Sequence, residues 1–251
     1  DKFNISRGEL EIESRLILPP NFKFSNKYPM ILDIHGGPHS KFTDSFSAAQ
    51  QILSTAGYIV LAVNPRGSSS YGADFAKAVL GDWGGEDYLD ILSAVDHVCK
   101  YTYVDRNRLG VYGYSYGGFM SAWIIGHDTR FSAAVVGAPC INLVSMYGTS
   151  DIGVTFGETQ WGDMSFDSLM NKSPVSYVNA VETPVLLMHG ENDLRCPVSQ
   201  SEEYFVRLNR LGKKVEMVRF PGQSHQFLRN GHPKLISEYY RRMLDWFGRY
   251  I

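Results

Sequence analysis

The sequence has no apolar run long enough to cross a membrane. A transmembrane helix needs about 20 consecutive apolar residues, whereas the longest apolar stretches, such as residues 58–63, are only as long as a β-strand. No signal peptide or transit peptide is recognisable after the first residue, Asp1. We therefore expect no membrane span and no membrane partner, and we expect either a mature protein or a fragment of a longer chain.

Cysteine is scarce, with only Cys99, Cys140 and Cys196 in the chain. An odd number of cysteines without the spacing of a zinc site argues against both a disulfide framework and a metal knuckle. Disulfides are rare in reducing compartments. This cysteine usage therefore favours a cytoplasmic location.

The sequence also lacks an excess of either charge. Its 24 lysine and arginine residues are balanced by 26 aspartate and glutamate residues, which gives a formal net charge of -2. Nucleic acids and anionic lipid surfaces bind proteins through concentrated positive charge. We therefore expect no nucleic-acid partner.

The composition is that of an ordinary globular protein, with 44% hydrophobic and 20% charged residues among 251 positions. This length fits one large α/β domain, and we expect a single domain over residues 1–251. Apolar runs typical of buried strands alternate with segments typical of helices. The predicted strands are residues 11–18, 30–34, 58–64, 108–112, 131–137, 184–189 and 214–220, and the predicted helices are residues 44–55, 71–80, 87–101, 116–127, 200–211 and 235–250.

Buried strands separated by helices predict a mostly parallel sheet that is covered by helices on both faces. Ligands bind such sheets at the carboxyl ends of the strands. Residues 142–173 fit the alternation poorly, because glycines and aromatic residues are interspersed there. We interpret this segment as an insertion over the edge of the sheet. The alternative is an irregular loop on the surface.

The segment GYSYG at residues 113–117 is the strongest chemical signal in the sequence. It follows a predicted strand and begins a predicted helix, which is the setting of the nucleophile elbow. Glycine is needed on both sides of the serine because the turn is too tight for larger side chains. Ser115 would lie at the apex as the nucleophile, and the backbone N–H of Tyr116 would lie at the helix N-terminus, where an oxyanion is stabilised.

A serine hydroxyl is a weak nucleophile near neutral pH and needs an adjacent general base. In this strand–turn–helix arrangement the acid and then the histidine follow the serine along the chain. His225 lies in a loop after the last predicted strand, whereas His232 precedes Pro233 at the start of the last helix, as a surface residue would. We therefore predict His225 as the base.

The acid is expected in the loop after the preceding strand, where Glu191 and Asp193 compete. Asp193 lies further into that loop, from which it reaches the His225 loop more easily. Asp163 and Asp167 are alternatives outside the loop. An acid in this position orients the imidazole and stabilises the imidazolium without taking its proton.

The sequence HGGPH at residues 35–39 directly follows a predicted strand. Glycines let backbone N–H groups approach a substrate closely, as an oxyanion hole requires. We predict the Gly37 N–H as a donor beside the Tyr116 N–H. His35 and His39 are spaced as helical metal ligands would be, but the glycines and the proline between them disfavour a helix. We therefore predict neither a metal site nor a cofactor.

Taken together, these stretches resemble the catalytic domain of the prolyl oligopeptidase family, in its acylaminoacyl-peptidase branch. The resemblance extends over nearly the whole chain and is specific as a set of motifs. The matching stretches are HGGPH at 35–39, NPRG at 64–67, GDWGG at 81–85, GYSYGG at 113–118, HGENDLRCP at 189–197 and FPGQSH at 220–225.

The resemblance implies an α/β-hydrolase fold in which Ser115, Asp193 and His225 form the catalytic triad, with Asp193 rather than Glu191 as the acid. It also implies that Arg195 binds a backbone carbonyl or the carboxylate of a peptide substrate. The planar donor fork of arginine suits such oxygens, and a structural ion pair is the alternative for this side chain. In the prolyl-oligopeptidase branch proper, a tyrosine side chain supplies part of the oxyanion hole, whereas the glycine loop here favours a backbone donor.

Members of this family usually carry an N-terminal β-propeller that restricts entry to short peptides. The sequence contains no propeller, so we expect either an excised catalytic domain or a stand-alone relative. The expected protein partner is a second copy of the chain or a propeller domain. The first hypothesis is a serine peptidase for short or N-acylated peptides that also cleaves activated esters. A carboxylesterase without peptidase activity and a catalytically silent interaction module are the alternatives.

Overall fold

The structure is a computed structural model that describes residues 1–251. An eight-stranded β-sheet forms its centre. The strands are β1 (Lys2–Arg7), β2 (Leu10–Ile17), β3 (Tyr28–Ile34), β4 (Ile59–Val63), β5 (Val104–Tyr114), β6 (Ala133–Gly137), β7 (Val185–Gly190) and β8 (Val215–Phe220). Their spatial order is β1-β2-β4-β3-β5-β6-β7-β8. The β1–β2 and β2–β4 pairs are antiparallel, and all other neighbours are parallel.

Helices connect the parallel strands and cover both faces of the sheet. They are α1 (Ala48–Thr55), α2 (Ala73–Lys77), α3 (Glu86–Val98), α4 (Tyr116–His127), α5 (Leu143–Thr149), α6 (Gly153–Gln160), α7 (Phe166–Asn171), α8 (Ser199–Arg210), α9 (Phe227–Asn230) and α10 (Pro233–Tyr250). A 3₁₀ segment, Pro174–Ala180, precedes β7. None of the helices combines the length and the apolar character that a membrane crossing needs. The layered α/β architecture predicted from the sequence is confirmed.

Two apolar cores lie on opposite faces of the sheet. The larger core contains α3, α4 and α8 together with the segment between β6 and β7. Helix α4 is almost entirely buried, as expected for a helix that is apolar around its whole circumference. The smaller core packs α1 and α10 against the other face, where α10 presents Tyr239, Met243, Trp246 and Phe247 at helical spacing. Central strands such as β4 are therefore buried on both faces, which explains their continuous apolar runs.

The structure differs from the sequence-based boundaries near the N-terminus. Helix α1 begins at Ala48 rather than at residue 44, because the Ser47 hydroxyl accepts a hydrogen bond from Gln50 N and so caps the helix there. Strand β1 is not predicted from the sequence. It pairs only with β2 at the edge of the sheet, so its side chains are half-buried or exposed and its apolar signal is weak.

Residues 142–173 form an insertion between β6 and β7, but the segment is helical rather than irregular. It contains α5, α6 and α7, which are only 6 to 8 residues long. Asn142 caps α5 by accepting hydrogen bonds from Val144 N and Ser145 N. Trp161, directly after α6, is fully buried in the larger core. Helices of about two turns show too little periodicity to be recognised in the sequence.

The turn between β5 and α4 holds Ser115 at φ 63° and ψ −121°. A conformation of this kind costs a residue with a side chain roughly 1–3 kcal/mol, so the surrounding structure must impose it. The Ser115 N–H donates a hydrogen bond to Gly137 O at 2.9 Å. The chain is packed so tightly that a Cβ on Gly113 or Gly117 would overlap backbone atoms. Strand and helix therefore fix the serine at the carboxyl edge of the sheet.

We expect Gly117→Ala to destabilise the protein, because the added Cβ would overlap the carbonyl oxygen of Ile34, a backbone atom that cannot rotate away. Overpacking of this kind costs roughly 1–3 kcal/mol or more. Gly248→Ala is the matched control, since it lies in α10 with open space around the new Cβ. Alanine is the better helix former there by up to about 1 kcal/mol. Urea unfolding measures both variants, and equal free energies of unfolding would contradict the tight turn.

Candidate active site

Three side chains from different elements meet above the carboxyl edge of the sheet. Ser115 directly precedes α4, Asp193 lies in the loop after β7, and His225 lies in the loop between β8 and α9. The distance from Ser115 Oγ to His225 Nε2 is 2.9 Å, and the distance from His225 Nδ1 to Asp193 Oδ2 is 2.6 Å. The structure thus brings the three residues predicted as nucleophile, base and acid into one hydrogen-bonded chain.

The partners of His225 determine which of its nitrogens carries the hydrogen. An ionised carboxylate only accepts hydrogen bonds, so the contact with Asp193 places the hydrogen on Nδ1. Nε2 then accepts the hydrogen bond from the Ser115 hydroxyl. The lone pair of Nε2 therefore points at the proton that a general base would remove from the serine.

Asp193 is a buried carboxylate that several donors hold in place. Its Oδ1 accepts hydrogen bonds from the backbone N–H groups of Arg195 and Cys196, each at 2.9 Å, and its Oδ2 faces His225 and His189. Burial alone would raise the pKa of this carboxyl, but the hydrogen bonds from His189 and His225 outweigh burial and lower the pKa to about 2. Asp193 therefore stays ionised throughout the neutral range.

His189 is a second histidine at the acid, in addition to the residues predicted from the sequence. It lies fully buried near the end of β7, with its Nε2 2.7 Å from Cys196 O and 3.3 Å from Asp193 Oδ2. Because both of these neighbours are acceptors, Nε2 carries the hydrogen and Nδ1 accepts a hydrogen bond from the Ser201 hydroxyl at 2.7 Å. The one signal in the sequence is a histidine that ends an apolar strand just before the acid loop.

The other candidates for the acid and the base lie elsewhere. Glu191 forms an ion pair with Arg219 at 3.0 Å on the surface. His232 is the N-cap residue of α10. Asp163 and Asp167 lie at or just before the start of α7, where carboxylates favour the helix N-terminus. None of these side chains forms a hydrogen bond with the three residues of the chain described above.

The loop after β3 brings backbone N–H groups next to the serine. A Cβ on Gly36 would lie 3.5 Å from the Ser115 Cβ. Gly37 has a φ of 128°, which favours glycine, and its N–H donates to no other group in the chain. His35 fixes the start of this loop, since its ring nitrogens contact Gly36 O at 2.7 Å and Ser68 Oγ at 3.0 Å. Burial lowers the pKa of His35 to about 4, so this side chain stays neutral.

Tyr116 is the first residue of α4, so its N–H precedes the internal hydrogen bonds of the helix and is open to an oxyanion. Its side chain is buried and donates a hydrogen bond to Asp87 at 2.5 Å. Asp87 lies in the first turn of α3, and burial raises its pKa to about 7. Sequence reasoning misses this residue because an acid in the first turn of a helix is typical of a solvated position. The pair anchors the start of α4 directly after Ser115.

Arg195 forms an ion pair with Asp151 at the rim of the site. Its Nε and Nη2 lie 2.8 and 3.3 Å from the two carboxylate oxygens, and the two side chains are 40% and 41% exposed. The direct contact of Arg195 with Asp193 is made by its backbone N–H and not by the guanidinium. The guanidinium lines the same cavity as Ser115.

Two cavities meet at Ser115 and His225. The smaller one has a volume of about 200 Å³ and an apolar wall that includes Trp83 and Phe156, with Arg195 in the same wall. The larger one has a volume of about 720 Å³ and extends from the serine along the loop after β3 towards α1 and α10. A substrate that reacts at the serine therefore has room on both sides of the reacting bond.

The cysteines near the site are free thiols. Cys140 Sγ lies 3.5 Å from Cys196 Sγ in the wall of the smaller cavity. No group of three or more histidine, cysteine, aspartate or glutamate side chains is close enough together to hold a metal ion. The two thiols thus act as small apolar groups in the cavity wall.

Comparison with known proteins connects this geometry to a family. The profile of the prolyl oligopeptidase family matches residues 44–251. The uncharacterized peptidase YuxL of Bacillus subtilis is 42% identical over 240 residues, which cover 94% of this chain and 36% of YuxL. The acylaminoacyl peptidase of Pyrococcus horikoshii has a structure with a TM-score of 0.97 and 32% sequence identity, in which 100% of this chain and 41% of that chain are covered.

A second similar structure is an acylaminoacyl peptidase in complex with Z-Gly-Gly-Phe-chloromethyl ketone, with a TM-score of 0.96, 32% identity, and coverage of 100% of this chain and 41% of that chain. The chain thus spans between a third and a half of the length of these relatives. The structural similarity confirms the α/β-hydrolase fold that the sequence motifs implied. Because the family profile matches most of the chain, this chain belongs to the prolyl oligopeptidase family.

Proposed function

We propose that this chain is a serine peptidase of the acylaminoacyl-peptidase type, which hydrolyses short or N-acylated peptides through an acyl-enzyme intermediate and also cleaves activated esters. The observation that carries the proposal is the hydrogen-bonded chain from Ser115 through His225 to Asp193. Membership of the prolyl oligopeptidase family supports it. The complex of a similar acylaminoacyl peptidase with Z-Gly-Gly-Phe-chloromethyl ketone supports a peptide as the substrate.

In the first half of the proposed reaction, the Ser115 hydroxyl attacks the scissile carbonyl carbon while His225 Nε2 takes the serine proton. The ionised Asp193 stabilises the imidazolium that forms. The oxygen of the tetrahedral intermediate then carries negative charge, for which the N–H groups of Gly37 and Tyr116 are the donors. One such donor typically contributes about 10²- to 10³-fold in kcat.

The intermediate breaks down when His225 donates its proton to the leaving amine or alcohol. The acyl group stays on Ser115 as an ester. Water then takes the position of the leaving group, gives a proton to His225, and releases the acyl product by the same steps in reverse order. Both halves of the reaction therefore use one base and one pair of oxyanion donors.

The smaller cavity offers the acyl part of the substrate an apolar surface. Trp83, Ile152 and Phe156 would contact an apolar side chain next to the scissile carbonyl. The phenylalanine of the chloromethyl ketone bound to a similar acylaminoacyl peptidase supports this assignment. Arg195 lies in the same wall and would donate to a backbone carbonyl of the substrate.

We further propose a reducing, cytoplasmic location, which is supported by three free thiols even though Cys140 and Cys196 are neighbours. The proposed partner is a propeller domain or a second copy of the chain. The first is supported by the length of the relatives, which extend well beyond the region matched here.

Ser115→Ala should abolish hydrolysis of an acyl-peptide amide and of a p-nitrophenyl ester without unfolding the protein. The residues of a triad act as a unit, and loss of the nucleophile typically lowers kcat about 10⁶-fold. A serine-directed phosphonate should label the parent protein at Ser115, as read by peptide mass spectrometry. Substantial residual hydrolysis by a clean variant would reassign the nucleophile, and a parent that takes up no label would indicate a catalytically silent module.

Asp193→Asn should lower kcat roughly 10⁴-fold, because the amide favours the wrong tautomer of the imidazole. The same variant should change how the free energy of unfolding depends on pH. The pKa of Asp193 is lowered from 3.8 to about 2, so the ionised carboxylate stabilises the folded protein fully above about pH 4. This contribution is lost as the pH falls through about 2. A shift of this size corresponds to about 2 kcal/mol.

Glu191→Gln is the matched control, because this acid lies in the same loop but pairs with Arg219 on the surface. It should leave both kcat and the acid stability close to those of the parent protein. Kinetic assays at neutral pH and urea unfolding at pH 7 and pH 3 measure the two effects. A large loss of kcat in Glu191→Gln would overturn the assignment. So would free energies of unfolding that depend on pH in the same way in the parent and in Asp193→Asn.

Arg195→Ala should lower kcat/KM for an acyl-peptide by about ten- to hundredfold, since a charge-assisted hydrogen bond to a substrate oxygen is worth roughly 1.5–3 kcal/mol. Hydrolysis of a p-nitrophenyl ester should stay within a few-fold of the parent value, because this substrate has no carbonyl beyond the reacting group. Arg195→Lys should restore the peptidase activity only in part, since lysine lacks the planar fork.

Asp151→Asn is the control for this experiment, because it removes the ion pair but leaves the guanidinium in the cavity wall. It should affect the peptide substrate less than Arg195→Ala does. An equal loss on both substrates in Arg195→Ala would mean that the side chain only anchors the acid loop. A parent protein that hydrolyses the ester but no acyl-peptide would indicate a carboxylesterase.

A further inference from the structure

A buried carboxyl group that the proposed reaction does not use lies in the wall of the larger cavity. Asp33 lies on β3 next to Tyr112 of β5, and it is 4% exposed. Its Oδ2 accepts a hydrogen bond from Gln50 Nε2 at 2.9 Å. Its Oδ1 accepts no hydrogen bond within the chain, and this atom is not sealed from the cavity. A carboxyl group with one oxygen that has no partner in the chain thus lines the cavity.

No cation balances this carboxyl group. The titratable groups packed around it are the phenols of Tyr112 on β5 and of Tyr239 and Tyr240 on α10, and α1 contributes the uncharged Gln50. Burial raises the pKa of Asp33 to about 7 despite the hydrogen bond from Gln50. A buried acid without a cationic partner is unfavourable when it ionises. A ligand that brings a positive charge would remove this penalty.

The larger cavity connects Asp33 with the reacting atoms. Ser115 and His225 line the same cavity. In the parallel β3–β5 pair, Asp33 lies opposite Tyr112, which is three residues before the serine. At about 3.3 Å per residue along the strand and about 4.8 Å between strands, the Cα atoms of Asp33 and Ser115 are roughly 11 Å apart. A long side chain of a bound substrate spans such a distance.

The chemistry of the proposed reaction assigns this cavity to the leaving group. The acyl part occupies the smaller cavity, next to Arg195, and His225 lines both cavities. This histidine delivers the proton to the departing amine. With the acyl part in the smaller cavity, the larger cavity is left for the residue after the scissile bond. Lys41 and Arg229 also line this cavity, and neither pairs with Asp33.

We propose that the larger cavity binds the residue that follows the scissile bond and that Asp33 selects a basic side chain, an ammonium or a guanidinium, at this position. The inference rests on the proposed peptidase function, because it names the preferred leaving group of that reaction. Asp33 acts as a specificity-determining residue and takes no part in the bond-breaking steps.

The test compares two peptides that differ only in one charge, N-acetyl-phenylalanyl-lysinamide and N-acetyl-phenylalanyl-norleucinamide, at pH 8. The parent protein should show a kcat/KM that is about ten- to hundredfold higher for the lysine peptide, the range of one charge-assisted hydrogen bond. Free lysinamide should also inhibit the parent more strongly than norleucinamide does. Equal values for the two peptides, or equal inhibition by the two amides, would overturn the proposal.

Asp33→Asn keeps the size of the side chain and the acceptor for Gln50 but removes the charge, so the ratio of the two kcat/KM values should fall to about one. Asp44→Asn is the matched control, since this exposed acid lies beside the cavity and pairs with Lys2 and Arg15. It should retain the preference of the parent. A lysine preference that persists in Asp33→Asn, or that also disappears in Asp44→Asn, would overturn the role of Asp33.

Failure of the proposed function has a different signature. Phosphonate labelling of Ser115 together with hydrolysis of a p-nitrophenyl ester but of neither peptide would reject the peptidase activity, and the leaving-group preference with it. Hydrolysis of both peptides at equal rates would leave the peptidase function intact and reject only the preference for a basic residue. The measurements on the parent protein decide between these cases even if Asp33→Asn does not fold.

Discussion

The passage from β5 into α4 is the constraint on which the rest of the site depends. It holds Ser115 at a positive φ, a strained conformation that a residue with a side chain adopts only when the surrounding structure imposes it. Three backbone segments impose it, because they lie too close together for a Cβ at Gly113 or Gly117. The same closeness brings the loop after β3 against the serine and leaves the N–H of Gly37 without an internal partner. One packing requirement therefore exposes the hydroxyl and places the proposed oxyanion donors beside it.

Two buried acids show how the same scaffold treats charge in opposite ways. Asp193 receives two backbone N–H groups and faces two histidines, so its charge is stabilised and its pKa is about 2. Asp33 receives one amide hydrogen bond and faces only phenols, so burial raises its pKa to about 7. The charge of Asp193 is stabilised by partners within the chain, which suits a permanently ionised carboxylate beside His225. Asp33 has no cationic partner within the chain, which is why we assign that partner to a ligand.

Much of this protein follows from local sequence patterns. The glycines around Ser115 belong to a strand–turn–helix unit, so the start and the end of α4 are predicted at the positions where the structure has them. The buried parallel strands are recognised because they are apolar without interruption. His225 and the two candidate acids, Glu191 and Asp193, follow from their position in loops after successive strands, since the carboxyl ends of parallel strands share one edge of the sheet. The short helices of residues 142–173 are missed because two turns carry too weak a period.

The sequence by itself determined the α/β order of elements, the elbow at Ser115 and the candidates for the acid and the base. Position along the chain left Glu191 and Asp193 both open, and the family resemblance favoured Asp193. The tertiary structure shows the physical difference, because Glu191 lies in a surface ion pair and Asp193 faces the histidine. It also revealed contacts between distant positions, such as Tyr116 with an acid 29 residues before it and Arg195 with an acid 44 residues before it. Local periodicity and spacing report which face of an element is buried. They do not report which polar groups meet across elements, because that depends on how strands and helices pack in three dimensions.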